Sequence, residues 1–273
     1  DNSGDTESEQ TADEGDKSKQ PAPPAETDWV AELNKQDLES RYRAAVELKE
    51  HDDAGGVDAL NAYLRILQDR SNDERSKELR DMALLAIPKI APLLKEGEES
   101  AVVATLTQTA GDPDDKLRLR AIDTLSSLGP AAMPAFINLI KQKDNKINRL
   151  KAAEAMGAMA SKLTGHVDEM KRALPLCDRD AKVLLSSVIV KAKPATPEVL
   201  PHLLQGLGTS DELIRLSAIQ AMDDMGPAAK EAANALYDVA MNDPIVNVRN
   251  AANRVYTKLR PLQSKKPNGK DKQ

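Results

Sequence analysis

Residues 116–132 (KLRLRAIDTLSSLGPAA) and 213–229 (LIRLSAIQAMDDMGPAA) are identical at eight of seventeen aligned positions and share the ending Gly-Pro-Ala-Ala. Internal similarity of this kind confines a chain to folds in which one supersecondary unit is stacked again and again. Anchoring on the basic residue of the motif extends the register to Arg41, Arg80, Arg118, Arg149, Lys182, Arg215 and Arg249, with spacings of 39, 38, 31, 33, 33 and 34 residues. Three positions later stand Ala44, Ala83, Ala121, Ala152, Leu185, Ala218 and Ala252; seven positions later stand Leu48, Ile87, Leu125, Met156, Ile189, Met222 and Tyr256. Offsets of three and seven share one face of an α-helix, so every unit is expected to turn a small and a large apolar residue inward.

The boundaries of the units carry their own signals. Asp37, Asp114, Asp178 and Asp211 lie four residues before a member of the basic column. Each is placed to cap a helix N-terminus and to pair at i,i+4 with the cation. Pro88 with Pro92, Pro130 with Pro134, and Pro197 with Pro201 repeat a Pro-x-x-x-Pro spacing, and proline is tolerated in the first turn of a helix. The spacing therefore predicts a second helix after each basic one, through Leu93-Leu94, through Phe136-Ile137 and Leu139-Ile140, and through Leu203-Leu204 and Leu207. Glu98–Ala110 reads as additional helical material between units two and three, and the last unit as a lone first helix acting as a terminal cap. With six aromatic side chains in 273 residues, a strand-built core is disfavoured.

An aspartate, then a basic residue preceded by an aliphatic one, an alanine, a Gly-Pro turn and a proline-led helix resemble the HEAT repeat family. The spacings of 31 to 34 are similar to the HEAT-like repeats of phycobilin lyases. The resemblance implies an all-α fold, a right-handed α-solenoid of about seven HEAT-like hairpins over residues 29–260. It also implies that the basic column is a structural ladder bonded to the neighbouring repeat.

Charge divides the chain into three. Residues 1–28 carry a net −7 and no Leu, Ile, Val or Phe, the composition of an acidic disordered tail or tether. Residues 261–273 read as a basic disordered tail, and the body, 29–259, carries only −3. A polar acidic start suits the segment following a cleaved signal peptide or lipid-modified cysteine in a bacterial envelope protein; an ordinary tail of a cytoplasmic protein is the other reading. No apolar run is long enough to cross a membrane.

The near-neutral body lacks the basic stripe and stacking aromatics of a nucleic-acid binder. His51, His166 and His202 fall in different units, so no metal site is expected, and no cofactor is implied. Cys177 rules out an internal disulfide and reads as packing, although its place before a helix N-terminus is where a thiol can be activated. Asp52-Asp53 and Asp223-Asp224 read as solvated, and Met156 with Met159 and Met222 with Met225 as core. The exposed phase of the second helices gives Arg65, Gln68, Asn138, Lys141, Lys171, Arg172, Gln205, Asn234 and Asp238 as candidate partner contacts if that row lines the groove. Their mixed signs suit a protein or peptide partner. The expectation is a non-catalytic adaptor; the alternative is an accessory factor or lyase acting on a chromophore or modified protein, which rests on the repeat subtype alone.

Overall fold

In a computed structural model, residues 27–263 are described; all but the edges of the acidic segment 1–28 and the basic tail 261–273 lie outside them. Fourteen α-helices follow one another: α1 (Trp29–Leu33), α2 (Leu38–Lys49), α3 (Gly56–Gln68), α4 (Glu74–Ile90), α5 (Glu99–Thr109), α6 (Asp115–Leu125), α7 (Met133–Lys141), α8 (Lys146–Ala158), α9 (Val167–Ala173), α10 (Arg179–Ala192), α11 (Leu200–Gly206), α12 (Glu212–Met225), α13 (Ala233–Asn242) and α14 (Val246–Gln263). There is no strand among the described residues. The basic column falls on the even helices, one residue each.

Seven hairpins form, but the phase of most of them is shifted by one helix from the sequence expectation. The helices that pack as pairs are α1 on α2, α3 on α4, α5 on α6, α7 on α8, α9 on α10, α11 on α12 and α13 on α14. The proline-led α7 therefore belongs with the basic helix that follows it, whereas α11 packs against both α10 and α12, and more extensively against α10, as the sequence pairing expects. Consequently α14 is the second half of a complete hairpin, its Tyr256 ring lying 5.2 Å from that of Tyr237 on α13.

Unit two departs from the proline rule. Pro88 sits inside α4, which runs on to Ile90; Ala91–Leu93 is a 3-10 turn with Leu93 exposed, and the following helix is α5, formed by the segment read as additional material. A proline in a helix leaves the carbonyl four residues earlier without its donor. Here that carbonyl is Leu84, and the Thr124 hydroxyl of α6 donates to it at 3.1 Å. The neighbouring unit thus satisfies the group that would otherwise end the helix. Pro134 and Pro201, by contrast, open α7 and α11 as the spacing predicts.

The inward positions behave uniformly. Ala44, Ala83, Ala121, Ala152, Leu185, Ala218 and Ala252 are all fully buried, and the larger residues four positions on are buried except the half-buried Tyr256. The Gly-Pro-Ala-Ala repeat has a backbone cause. Gly129 (φ 59, ψ −139) and Gly226 (φ 56, ψ −128) turn the chain from α6 towards α7 and from α12 towards α13, a conformation open essentially to glycine alone.

The capping expectation holds and extends: Asp37, Asp73, Asp114, Asn145, Asp178 and Asp211 accept backbone N–H bonds at the starts of α2, α4, α6, α8, α10 and α12. The i,i+4 pairing does not form. Asp178 bonds Arg149 at 2.5 Å and Asp211 bonds Lys146 at 2.8 Å, cations of earlier hairpins, because the cap geometry aims each carboxylate off its own helix.

Two outcomes follow for stability. Arg215→Ala leaves the buried Asp243 carboxylate unpaired and should cost about 3–5 kcal/mol in chemical denaturation. Gly226→Ala meets open space, since no atom lies within 4 Å of an added Cβ, so its loss of about 1–3 kcal/mol should come from backbone strain alone.

Candidate partner-binding surface

The basic column points into the seams between hairpins. Arg80 bonds Asp112 at 2.5 Å and the Ser71 carbonyl at 3.0 Å. Arg215 holds Asp243 with two nitrogens, at 2.7 and 3.1 Å, and donates to the Thr209 and Ser210 carbonyls. Arg118 reaches Asn148 of α8 and the Asp112 carbonyl; Arg149 reaches Asp178. Arg249 donates back to the Asp243 and Pro244 carbonyls. Lys182 and Arg41 make no ion pair among the described residues. Arg80, Arg149 and Arg215 are buried and their charge is already committed within the array, so they present little to a ligand.

A second set of ion pairs lies on the open side of the even helices. Arg75 meets Glu39 at 3.2 Å and stacks over Tyr42; Lys116 and Arg120 both meet Asp81; Lys151 meets Asp123 at 2.9 Å; Lys258 meets Asp223 at 2.7 Å. In each the acid belongs to the earlier helix and the base to the later one. The Asp123 hydrogen bond raises the pKa of Lys151. Between these pairs Leu85, Leu119 and Leu150 face hollows, the buried Leu184 walls two of them from α10, and the half-buried Leu216 holds the register position of Leu119 and Leu150 on α12. Leu85 and Leu119 border a hollow of about 480 Å³ between α4 and α6, and Leu150 and Leu184 border hollows of about 180 and 220 Å³ further along.

Those two smaller hollows are each walled by α8, α10 and α12 together. Neighbouring helix axes lie about 8–10 Å apart, so in a flat row α8 and α12 would be about 16–20 Å apart and out of side-chain reach. Lys146 of α8 nevertheless meets the Asp211 cap of α12 at 2.8 Å. The row bends around α10, whose residues Val183–Val190 are buried on every side. The even helices pack against their neighbours throughout, whereas α7, α9, α11 and α13 barely touch one another. The inner face is therefore the even row.

This placement differs from the sequence expectation. Arg65 and Gln68 lie on α3, Asn138 and Lys141 on α7, Lys171 and Arg172 on α9, Gln205 on α11, and Asn234 and Asp238 on α13. All are exposed or half-buried, but they occupy the outer row and none lines the hollows beside the leucines. The leucines were missed because helical phase alone does not tell an open inner face from the core behind it. The available signal was position: Leu119, Leu150 and Leu216 each follow an arginine of the column directly.

Cys177 is buried, burial pushes its thiol pKa up, and the thiol donates to the Ala173 carbonyl at 3.4 Å. His166 approaches Glu169, and burial, with Lys182 nearby, lowers the pKa of His202. Among the described residues no group of three His, Cys, Asp or Glu is arranged to hold a metal, and no helix is long and apolar enough to cross a membrane.

No protein-family model matches the chain, and no curated relative does. Among solved structures, the archaeal HEAT-like repeats protein from Thermococcus onnurineus NA1 is similar over 89% of this chain and 100% of its own, at 11% identity and a TM-score of 0.49. Computationally designed armadillo repeat proteins for modular peptide recognition align over 85% of this chain and 98% of theirs, at 17% identity and TM-score 0.45. The complex of CpcE and CpcF of phycocyanin lyase from Nostoc sp. PCC7120 aligns over 92% and 100%, at 21% and 0.38. By its own packing the chain is an α-solenoid of stacked helical hairpins.

The solenoid's caps make it acid-sensitive. Ser40 and Ser76 N–H bonds hold Asp37 and Asp73 below the usual carboxylate range. Burial opposes this at Asp178 and Asp211, but the Ala181 N–H with Arg149, and Lys146 with the Leu213 N–H, outweigh it. A carboxyl depressed below its unfolded value of about 3.9 contributes stability that is complete above that pH and is lost as pH falls through the folded pKa. The thermal midpoint should hold above about pH 5 and fall below about pH 4. Asp178→Asn should be less stable at neutral pH and show a shallower acid decline in the same scan.

Proposed function

We propose that this solenoid is a non-catalytic scaffold that holds a partner polypeptide along the even-helix face. The observation that carries this reading is the row of Leu85, Leu119 and Leu150 beside hollows on the inner side of the bend, with the buried Leu184 walling the last two. Aliphatic side chains of a partner enter such hollows, while rim charges set register. The ion pairs leave that face with both signs neutralised locally, which suits a polypeptide better than a polyanion. The outer-row residues first expected to bind form the comparison surface, since the two faces give opposite results in one experiment.

The 273-residue chain, immobilised as bait with extracts of the source organism, should retain a specific protein. Leu119→Asp with Leu150→Asp should lower its recovery at least about tenfold, the effect of losing central anchors. Lys141→Glu with Lys171→Glu should leave recovery unchanged. Loss with the lysine pair and retention with the leucine pair would move the site to the outer row.

A further inference from the structure

The first rung of the ladder is left open. Arg80, Arg149 and Arg215 each hold a carboxylate of the next hairpin. Arg41, at the same position of the repeat, makes no side-chain hydrogen bond or ion pair among the described residues, and its Nε is buried without a partner. Asp69 stands where Asp243 stands for Arg215 and shares the field of Arg41 without pairing with it; like Asp112 and Asp243 it accepts the N–H two residues on, here that of Ser71 at 2.9 Å.

Arg41 instead borders a hollow of about 480 Å³ at the N-terminal end of the array, between the end of α1, α2 and α3. Two more cations, Lys35 and Arg65, line it with the amides of Asn34 and Gln36, and no carboxylate does. Arg65 is steadied by the Asn34 side-chain oxygen, and Lys35 pairs with Glu32 at the edge. Two guanidinium forks and two amides around an open volume form a receptor for a carboxylate, which arginine binds with paired N–H bonds.

We infer that this hollow takes a carboxylate side chain from the chain's own acidic stretch, residues 1–26. That stretch carries eight acids against two lysines and joins the array two residues before α1, whose far end forms one wall of the hollow. Asp13, Glu14 and Asp16 stand ten or more residues from the junction. Ten extended residues span about 33 Å, ample to return past α1, a helix only about 8 Å long. Opposite charge and tethering both favour the contact, because a tethered group is present at about millimolar effective concentration.

Carbodiimide coupling of the full chain, read by peptide mass spectrometry, tests this directly. Lys35 should be joined to Asp13, Glu14 or Asp16, with a yield independent of dilution and confined to one copy in isotope-mixed samples. Arg41→Gln with Arg65→Gln should lower that yield about tenfold, the scale of lost charge-assisted hydrogen bonds. A second variant leaves the array's residues untouched: Asp13→Asn, Glu14→Gln and Asp16→Asn should raise the reactivity of Arg41 towards phenylglyoxal by a similar factor. Coupling of Lys35 to Glu32 alone, coupling only between copies, a yield indifferent to the arginine changes, or unchanged Arg41 reactivity would each overturn the inference.

Discussion

Each even helix carries a cation at the same repeat position, and where it pairs with a carboxylate of the next loop, as Arg80 does with Asp112 and Arg215 with Asp243, the pair is buried between two hairpins. Burial makes such a pair costly to break on one side only, since the survivor is left charged in a low-dielectric seam. It also fixes register, because the guanidinium bonds loop carbonyls and the next acid together. A hairpin with one apolar face cannot cover itself, so its stability is shared with its neighbours. The arginines specify which neighbour and at what height.

Register in turn sets the inner face. With small residues at the inward position of six even helices, the even row closes tightly; around α10, where leucine replaces alanine, the helix is buried on all sides. The Lys146–Asp211 pair spans that helix and holds the bend. Leu150 and Leu184 are brought with α12 around the same hollows by it, and Leu85 and Leu119 continue the line towards the N-terminal end. Binding chemistry and array geometry thus arise from the same packing.

The column itself was legible because period is a local property: an arginine with alanine three positions on appears in sequence as it does in space. Asp37, Asp114, Asp178 and Asp211 were legible as caps for the same reason, since an N-cap bond needs only the next three residues. Hairpin phase was not, because a helix followed by a turn on both sides does not state which neighbour it packs against. Pro88 misled for a long-range reason: the donor that rescues Leu84 lies forty residues away on Thr124. The binding face was illegible likewise. Leu119 and Ile122 are both aliphatic and lie three positions apart on α6, yet Ile122 is fully buried and Leu119 only half so.

The central claim, that the even-helix row is the working face, is tested most directly by hydrogen-exchange mass spectrometry of the array with its captured partner. Exchange should slow in α4, α6, α8, α10 and α12 and stay unchanged in α7, α9, α11 and α13. Protection confined to the odd helices would contradict the account and return the site to the outer row.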